Sequence, residues 1–278
     1  MKNSSKKLAA VVFSLCAAAS PAFAGRGGSA GLIKSAVSSG SVDAIIAEVE
    51  RSEKLMCDEC LDTMIALTED NRSAVREVAA WWFAKRPGAK NVMVSQMKDD
   101  LALGGSIKVR NAADFVGRVR EFGALADLKT AMARTDINAE AKVSIARAVG
   151  FMAHPKGNEI LKVAMLDTNA PVRAAAVVAW RDILGQTSAM DVVGLLHDSD
   201  ALVRAEAATV IGAYGELSGR ATLETLVVSD PDPFVRRNAA YALGKIGSWE
   251  SSAALSRATL DSSGLVRLVA KAALTTLK

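Results

Sequence analysis

ALVRAEAATVIGAYG at 201–215 and PFVRRNAAYALGKIG at 233–247 share one frame: a Val-Arg pair, then a run of small apolar residues reaching a glycine. The same pair stands at Val75-Arg76, Val109-Arg110, Val172-Arg173, Val203-Arg204, Val235-Arg236 and Val266-Arg267, and Ala141-Lys142 is a degenerate copy in the one gap. The basic residues follow one another at 34, 32, 31, 31, 32 and 31 residues. Self-similarity at such a period marks a repeat array in which each unit buries its apolar face on its neighbours.

Two further columns repeat. An aspartate lies six residues before the basic residue in Asp70/Arg76, Asp136/Lys142, Asp167/Arg173, Asp198/Arg204, Asp230/Arg236 and Asp261/Arg267. At Arg110 the nearest one, Asp100, lies ten residues upstream, and the extra Leu103-Gly104-Gly105 reads as a loop insertion. Alanine recurs three residues after the basic residue as Ala79, Ala113, Ala176, Ala207, Ala239 and Ala270, which lets helices approach closely. Each unit reads as two helices: an amphipathic one, as at 157–166 or 221–228, an Asp-rich turn, then a second from Val-Arg to a glycine such as Gly185, Gly212 or Gly244. Pro171 and Pro233 suit the first turn of that second helix, and the preceding aspartates suit its positive end. No stretch alternates with period two, so almost no strand is expected.

On these residues the chain resembles HEAT repeats, in particular the HEAT-like repeats of the phycobilin lyase (PBS lyase) type, over about 55–278. The resemblance implies an all-α fold: a right-handed α-solenoid of about seven HEAT-like two-helix repeats with an N-terminal capping helix. It implies that Asp and Arg pair within or between units, so that Asp70, Arg76, Asp167, Arg173, Asp198, Arg204, Asp230, Arg236, Asp261 and Arg267 form a structural ladder. It implies a scaffold or adaptor, although lyase and hydroxylase branches exist. The hydroxylase branch uses repeated His-Glu pairs, and here Pro155 follows His154 and Asp198 follows His197.

The first 24 residues read as a cleavable signal peptide. Lys2, Lys6 and Lys7 precede the short apolar run 8–19, and Ala22-Phe23-Ala24 offers a cleavage site before Gly25. That run, with Cys16 inside it, is too short to span a bilayer. Residues 25–41 read as a flexible linker and 42–278 as one solenoid, beginning with a helix over about Val42–Arg51 after Ser39-Gly40-Ser41. The expected location is the periplasm or outside the cell. The formal charge of +4 includes the three signal lysines and no other charged residue from that segment. What remains is close to neutral, which argues against nucleic-acid binding. No other segment is apolar over a membrane-spanning length, so no membrane insertion is expected.

Cys57 and Cys60 remain in the mature chain. A short-range disulfide between them is expected, with a redox-active dithiol, half of a metal site and two free, packed thiols as the alternatives. Asp58 and Glu59 between them oppose thiolate formation, and no β-α-β pattern surrounds them. A c-type haem site is excluded because Leu61 follows Cys60. His154 and His197 read as surface or helix-end residues, and Gly104-Gly105 is followed by no phosphate-binding Lys-Ser/Thr. No catalytic residue, metal ligand or cofactor is expected.

The partner would therefore be a protein or peptide. In HEAT-type arrays the second helices line the concave face. Five residues after the basic residue the chain varies: Trp81, Phe115, Arg147, Val178, Thr209 and Tyr241. Varied chemistry in a regular column suggests exposure, and aromatic and Arg side chains anchor interfaces. Trp81, Phe115, Arg147, Arg181, Arg237, Tyr241 and Lys245 are the candidate partner-binding residues. Phe83 falls in an apolar column and reads as core, as do Trp180 and Trp249. Self-association through the C-terminal repeat, covering Leu268 and Leu274, is a further expectation. The runner-up function is a redox or cofactor-assembly accessory role centred on Cys57/Cys60.

Overall fold

A computed structural model describes residues 28–55 and 57–278. The chain divides into two compact units, Met1–Leu61 and Asp62–Lys278. All regular structure among the described residues is helical. The expected signal peptide lies outside the described residues.

The first unit holds α1 (Ala30–Ser39), α2 (Val42–Arg51) and a 3-10 turn at Asp58–Cys60. α1 corrects the linker expected over 25–41. Ser29 accepts the Leu32 N–H and starts the helix, Ile33 and Ala36 bury one turn apart, and Gly40 ends it at φ 72°. One turn of buried apolar residues suffices once both ends are capped. α2 has the predicted bounds and is capped by the Ser41 hydroxyl, which accepts the Ala44 N–H. The expectation of one array from residue 42 is also corrected, because the division falls after Leu61.

The second unit is an α-solenoid of seven HEAT-like helix pairs. The pairs are α3 (Leu61–Thr68) with α4 (Ser73–Ala84), α5 (Pro87–Leu103) with α6 (Ser106–Arg118), α7 (Leu125–Met132) with α8 (Ala139–Met152), and α9 (Asn158–Ala164) with α10 (Ala170–Arg181). A 3-10 helix, Met190–His197, precedes α11 (Ala201–Tyr214); α12 (Arg220–Ser229) precedes α13 (Pro233–Ile246), and α14 (Ser252–Ala258) precedes α15 (Gly264–Leu274). Every valine of the Val-Arg pairs is fully buried, as is every alanine three residues after the arginine. The sequence columns are thus the packing columns. Of the loop expected at Leu103-Gly104-Gly105, Gly104 and Gly105 form the connection to α6, while Leu103 ends the 17-residue α5.

Gly212 and Gly244, expected as helix ends, lie inside helices. α11 and α13 run on to Tyr214 and Ile246, where Gly215 and Gly247 take φ 62° and 74° and end them. The interior glycines serve contact instead. A Cβ on Gly212 would lie 2.6 Å from Ala242 Cα, and one on Gly244 2.7 Å from Ala273 Cβ. Gly117 meets Ala148 and Gly150 meets Ala179 in the same way. Glycine of one second helix thus receives alanine of the next, and the two backbones come as close as side-chain-free packing allows. α10 and α11 break this rule, with Arg181 and Val210 at the two positions. They touch over a shorter stretch, and Trp180 and Tyr214 fill the junction with ring centroids 5.4 Å apart.

Candidate interaction surface

The aspartate turns and the Val-Arg arginines build one repeated rung. The Arg173 guanidinium donates from Nη1 to its own turn, the carbonyl of Asp167 at 2.8 Å, and from Nε and Nη2 to both carboxylate oxygens of Asp198 in the next repeat at 2.6 and 2.7 Å. Arg204 holds the Asp198 carbonyl and the Asp230 carboxylate in the same way, and Arg236 holds the Asp230 carbonyl and the Asp261 carboxylate. Each carboxylate also accepts the N–H two residues on: Asp198 from Asp200, Asp230 from Asp232, Asp261 from Ser263. Asp200 and Asp232 then cap α11 and α13. The rung therefore ties one turn, the next turn and the start of the next helix together through charge-assisted bonds. Arg173 holds the Asp198 carboxyl below its usual range, and Arg236 does the same to Asp261.

The N-terminal rungs differ. Lys142 reaches the Asp167 carboxylate at 2.7 Å, as the ladder expects. Arg76 bonds the Asp70 carbonyl but sends its Nε and Nη2 to Asp114, a residue on α6 itself, at 3.0 and 2.5 Å. Position 104, six residues before Arg110, is glycine, and a Cβ there would lie 2.5 Å from the Asp100 carbonyl oxygen. No aspartate fits that turn, so the carboxylate comes from the helix. Asp70 is paired with Arg72 rather than with Arg76 through its carboxylate.

The surface row expected on the second helices assembles in part. Phe115 is corrected: it is 2% exposed and sits edge-on against Phe83, ring centroids 5.6 Å apart. Phe83 of α4 packs on this ring, so the +5 position of α6 is core. Arg147 is also corrected as a free anchor, since its Nη2 is bound to the buried Asp114 carboxylate at 2.5 Å. Trp81 is half-buried, with Lys85 Nζ 5.3 Å above its ring. Arg181 is exposed beside Asp182. Trp180 is buried as expected, whereas Trp249 is 66% exposed, against expectation.

On α13 the expected residues do come together. Arg237, Tyr241 and Lys245 share one face with Phe234, which sequence reasoning missed and which is 59% exposed. Its signal was the apolar residue two before the arginine, repeated at Leu202 and Leu265. The Arg237 guanidinium lies 5.3 Å from the Phe234 ring centre and Lys245 Nζ 5.6 Å from that of Tyr241. Beside them an open groove of about 160 Å³ runs to α15, lined by Tyr241, Gly244, Val269, Ala272 and Thr276 among others. The face combines exposed rings with two cations already stacked on them.

Cys57 and Cys60 are bonded to each other, Cys60 buried and Cys57 half-buried. Among the described residues no group of three or more His, Cys, Asp or Glu is placed to hold a metal ion, and no helix is long and apolar enough to cross a membrane.

Residues 189–275, the last three helix pairs, match the family described as HEAT repeats. Among solved structures, the Escherichia coli protein YibA is similar in fold, with a TM-score of 0.58 at 13% identity over 87% of this chain and 91% of that one. Human deoxyhypusine hydroxylase aligns at a TM-score of 0.38 and 19% identity, over 88% of this chain and 96% of that one. No curated protein matches the sequence. The sequence match and the fold likeness together support a HEAT-repeat assignment.

Proposed function

We propose that this chain is an exported, non-catalytic scaffold that binds a protein or peptide on the face built by its second helices, centred on α13. The observation that carries this reading is the row of exposed Phe234, Tyr241 and Lys245 with half-buried Arg237, beside the groove to α15. Rings left in water with cations held over them are the composition of interface anchors, and a stack of rigid repeats presents them with little ordering cost on binding. Phe115 and Arg147 take no part, and Trp81 and Arg181 lie on other repeats as secondary contacts. Export is supported by the signal-like first 24 residues and by the Cys57–Cys60 bond, which persists in an oxidising compartment. The repeats are assigned to the phycobilin-lyase type on their Val-Arg and Asp columns, as scaffolding without the lyase chemistry. A redox role for the cysteines is the weaker reading, because Cys60 is buried and two carboxylates, Asp58 and Glu59, lie between the cysteines.

A photo-crosslinking residue at position 241 in the mature protein, incubated in native envelope extract, is expected to give one discrete adduct. The same residue at position 163, exposed on α9, is expected to give none. Arg237→Glu in the 241 protein should abolish the adduct without changing helical circular dichroism. Equal adducts from both positions, or an adduct indifferent to Arg237→Glu, would refute the assignment.

A further inference from the structure

Among the described residues the ladder has a rung, at Arg267, whose carboxylate position is open. Arg267 keeps the inner half of the pattern: its Nη1 donates to the carbonyls of Asp261 at 2.7 Å and Ser262 at 2.9 Å. Those two bonds orient the guanidinium as Arg173, Arg204 and Arg236 are oriented. In those three the Nε and Nη2 edge is filled by an aspartate. Among the described residues no carboxylate is paired with that edge of Arg267, and the side chain is exposed.

The face around Arg267 has changed to match. One residue after the ladder arginine, Ala174 and Ala205 are buried; the residue there on α15 is Leu268, 64% exposed. Four after it, Val177, Ala208 and Ala240 are fully buried; here Lys271 is exposed. Eight after it, where Gly212 and Gly244 receive the next helix, stands Thr275. A lysine and a threonine replace the two features that seat another helix, while the carboxylate fork is kept. From residue 262 to 278 there are three cations and no acidic residue.

We infer that Arg267, with Leu268 and Lys271, is a docking site for an acidic segment of a partner protein, one carboxylate entering the Arg267 fork and an aliphatic side chain lying on Leu268. The occupant's chemistry follows from the inner rungs, where the same fork takes an aspartate whose own turn is held by an N–H two residues on. A guanidinium already fixed by two backbone carbonyls loses little freedom on binding a planar carboxylate. A second copy stacked head-to-tail fits poorly, because the first ladder aspartate, Asp70, is already held bidentately by Arg72. This site is separate from the α13 row and does not depend on it.

The test uses the mature protein and a capped pentapeptide, Asp-Ser-Asp-Ala-Leu, which copies the turn at 198–202. Arginine Nε–H and leucine methyl NMR signals are followed in titration. The expected result is a saturable shift at Arg267 and Leu268, weakened about ten-fold or more with Asn-Ser-Asn-Ala-Leu. Arg267→Gln should weaken it as strongly. Arg267→Lys should weaken it too, since an ammonium lacks the fork, and Lys271→Gln less. Tyr241→Ala should leave it unchanged, so that failure here and failure of the α13 assignment read separately. A shift indifferent to the Asp→Asn change or to Arg267→Gln overturns the inference. So does a concentration-dependent dimer mass that Arg267→Gln abolishes, which would assign the face to self-association.

Discussion

The rungs at Arg173, Arg204 and Arg236 and the rung at Arg76 perform one task with different parts. In the first three the carboxylate comes from a surface turn, and the arginine side chains keep about an eighth of their area in water, 12% in each. At Arg76 it comes from the middle of α6, and the pair is 4% and 2% exposed. The relocated carboxylate then needs a second cation, Arg147, on its other oxygen. A repeat can thus lose its signature aspartate and keep the cross-link, provided a charge moves inward and is balanced there. An inward charge pair is the more fragile arrangement, because neither partner can turn to solvent if the other is removed.

That contrast sets the scale of the predictions. Asp114→Ala strands Arg76 and should cost about 3–5 kcal/mol in urea unfolding, more than Asp261→Ala, whose partner can reach water. Equal losses would show that the two kinds of rung are equivalent. Adding Gly104→Asp should not rescue Asp114→Ala, since a side chain at 104 collides with the Asp100 carbonyl.

The glycine–alanine contacts come next. Gly212→Val should cost about 1–3 kcal/mol by overpacking, read as a lowered melting temperature, because its Cβ would press on Ala242. A neutral outcome would mean α11 and α13 can separate freely.

Acid response is a smaller effect. Asp198 and Asp261 have folded pKa values below their usual range. Their contribution is complete above the unfolded carboxylate value near 3.9 and disappears as pH falls through the folded values. Melting temperature should hold steady from neutral pH to about 5 and fall below about 4, less steeply in the Asp198→Asn, Asp261→Asn double variant. An unchanged slope would remove these two from the acid response. The smallest change expected is Arg181→Gly, about 1 kcal/mol of lost helix propensity at most, with no gain in packing while Val210 faces it. A stabilised variant would show that the α10–α11 junction is held apart by Arg181 alone.

The period and the ladder were legible because each column is a packing contact: Val and Ala of every unit are buried at the positions the repeat predicts. The surface was less legible. Tyr241 and Phe115 occupy the same column, yet one is exposed and the other is core, Phe115 meeting the buried Phe83 ring of the preceding second helix. Phe234 lies in the first turn of α13, outside the variable column, so that column does not point to it. α1 is hard to see in the sequence because glycine- and serine-rich flanks surround a single buried apolar turn, Ile33 and Ala36.

The sequence by itself determined the helix pairs, their number and the recurring Asp and Arg columns, since these follow from local period and from chemistry repeated at fixed spacing; that Arg173, Arg204 and Arg236 each take the Asp of the next repeat was decided by the packing. Only the tertiary structure decided that Gly212 and Gly244 are contacts rather than ends, that Arg76 turns to Asp114, and that Arg267 faces outward unfilled. Each of those depends on what the neighbouring repeat places against the residue, and a distance between atoms some thirty positions apart is set by the packing of helices, not by the residues that flank the position in the chain.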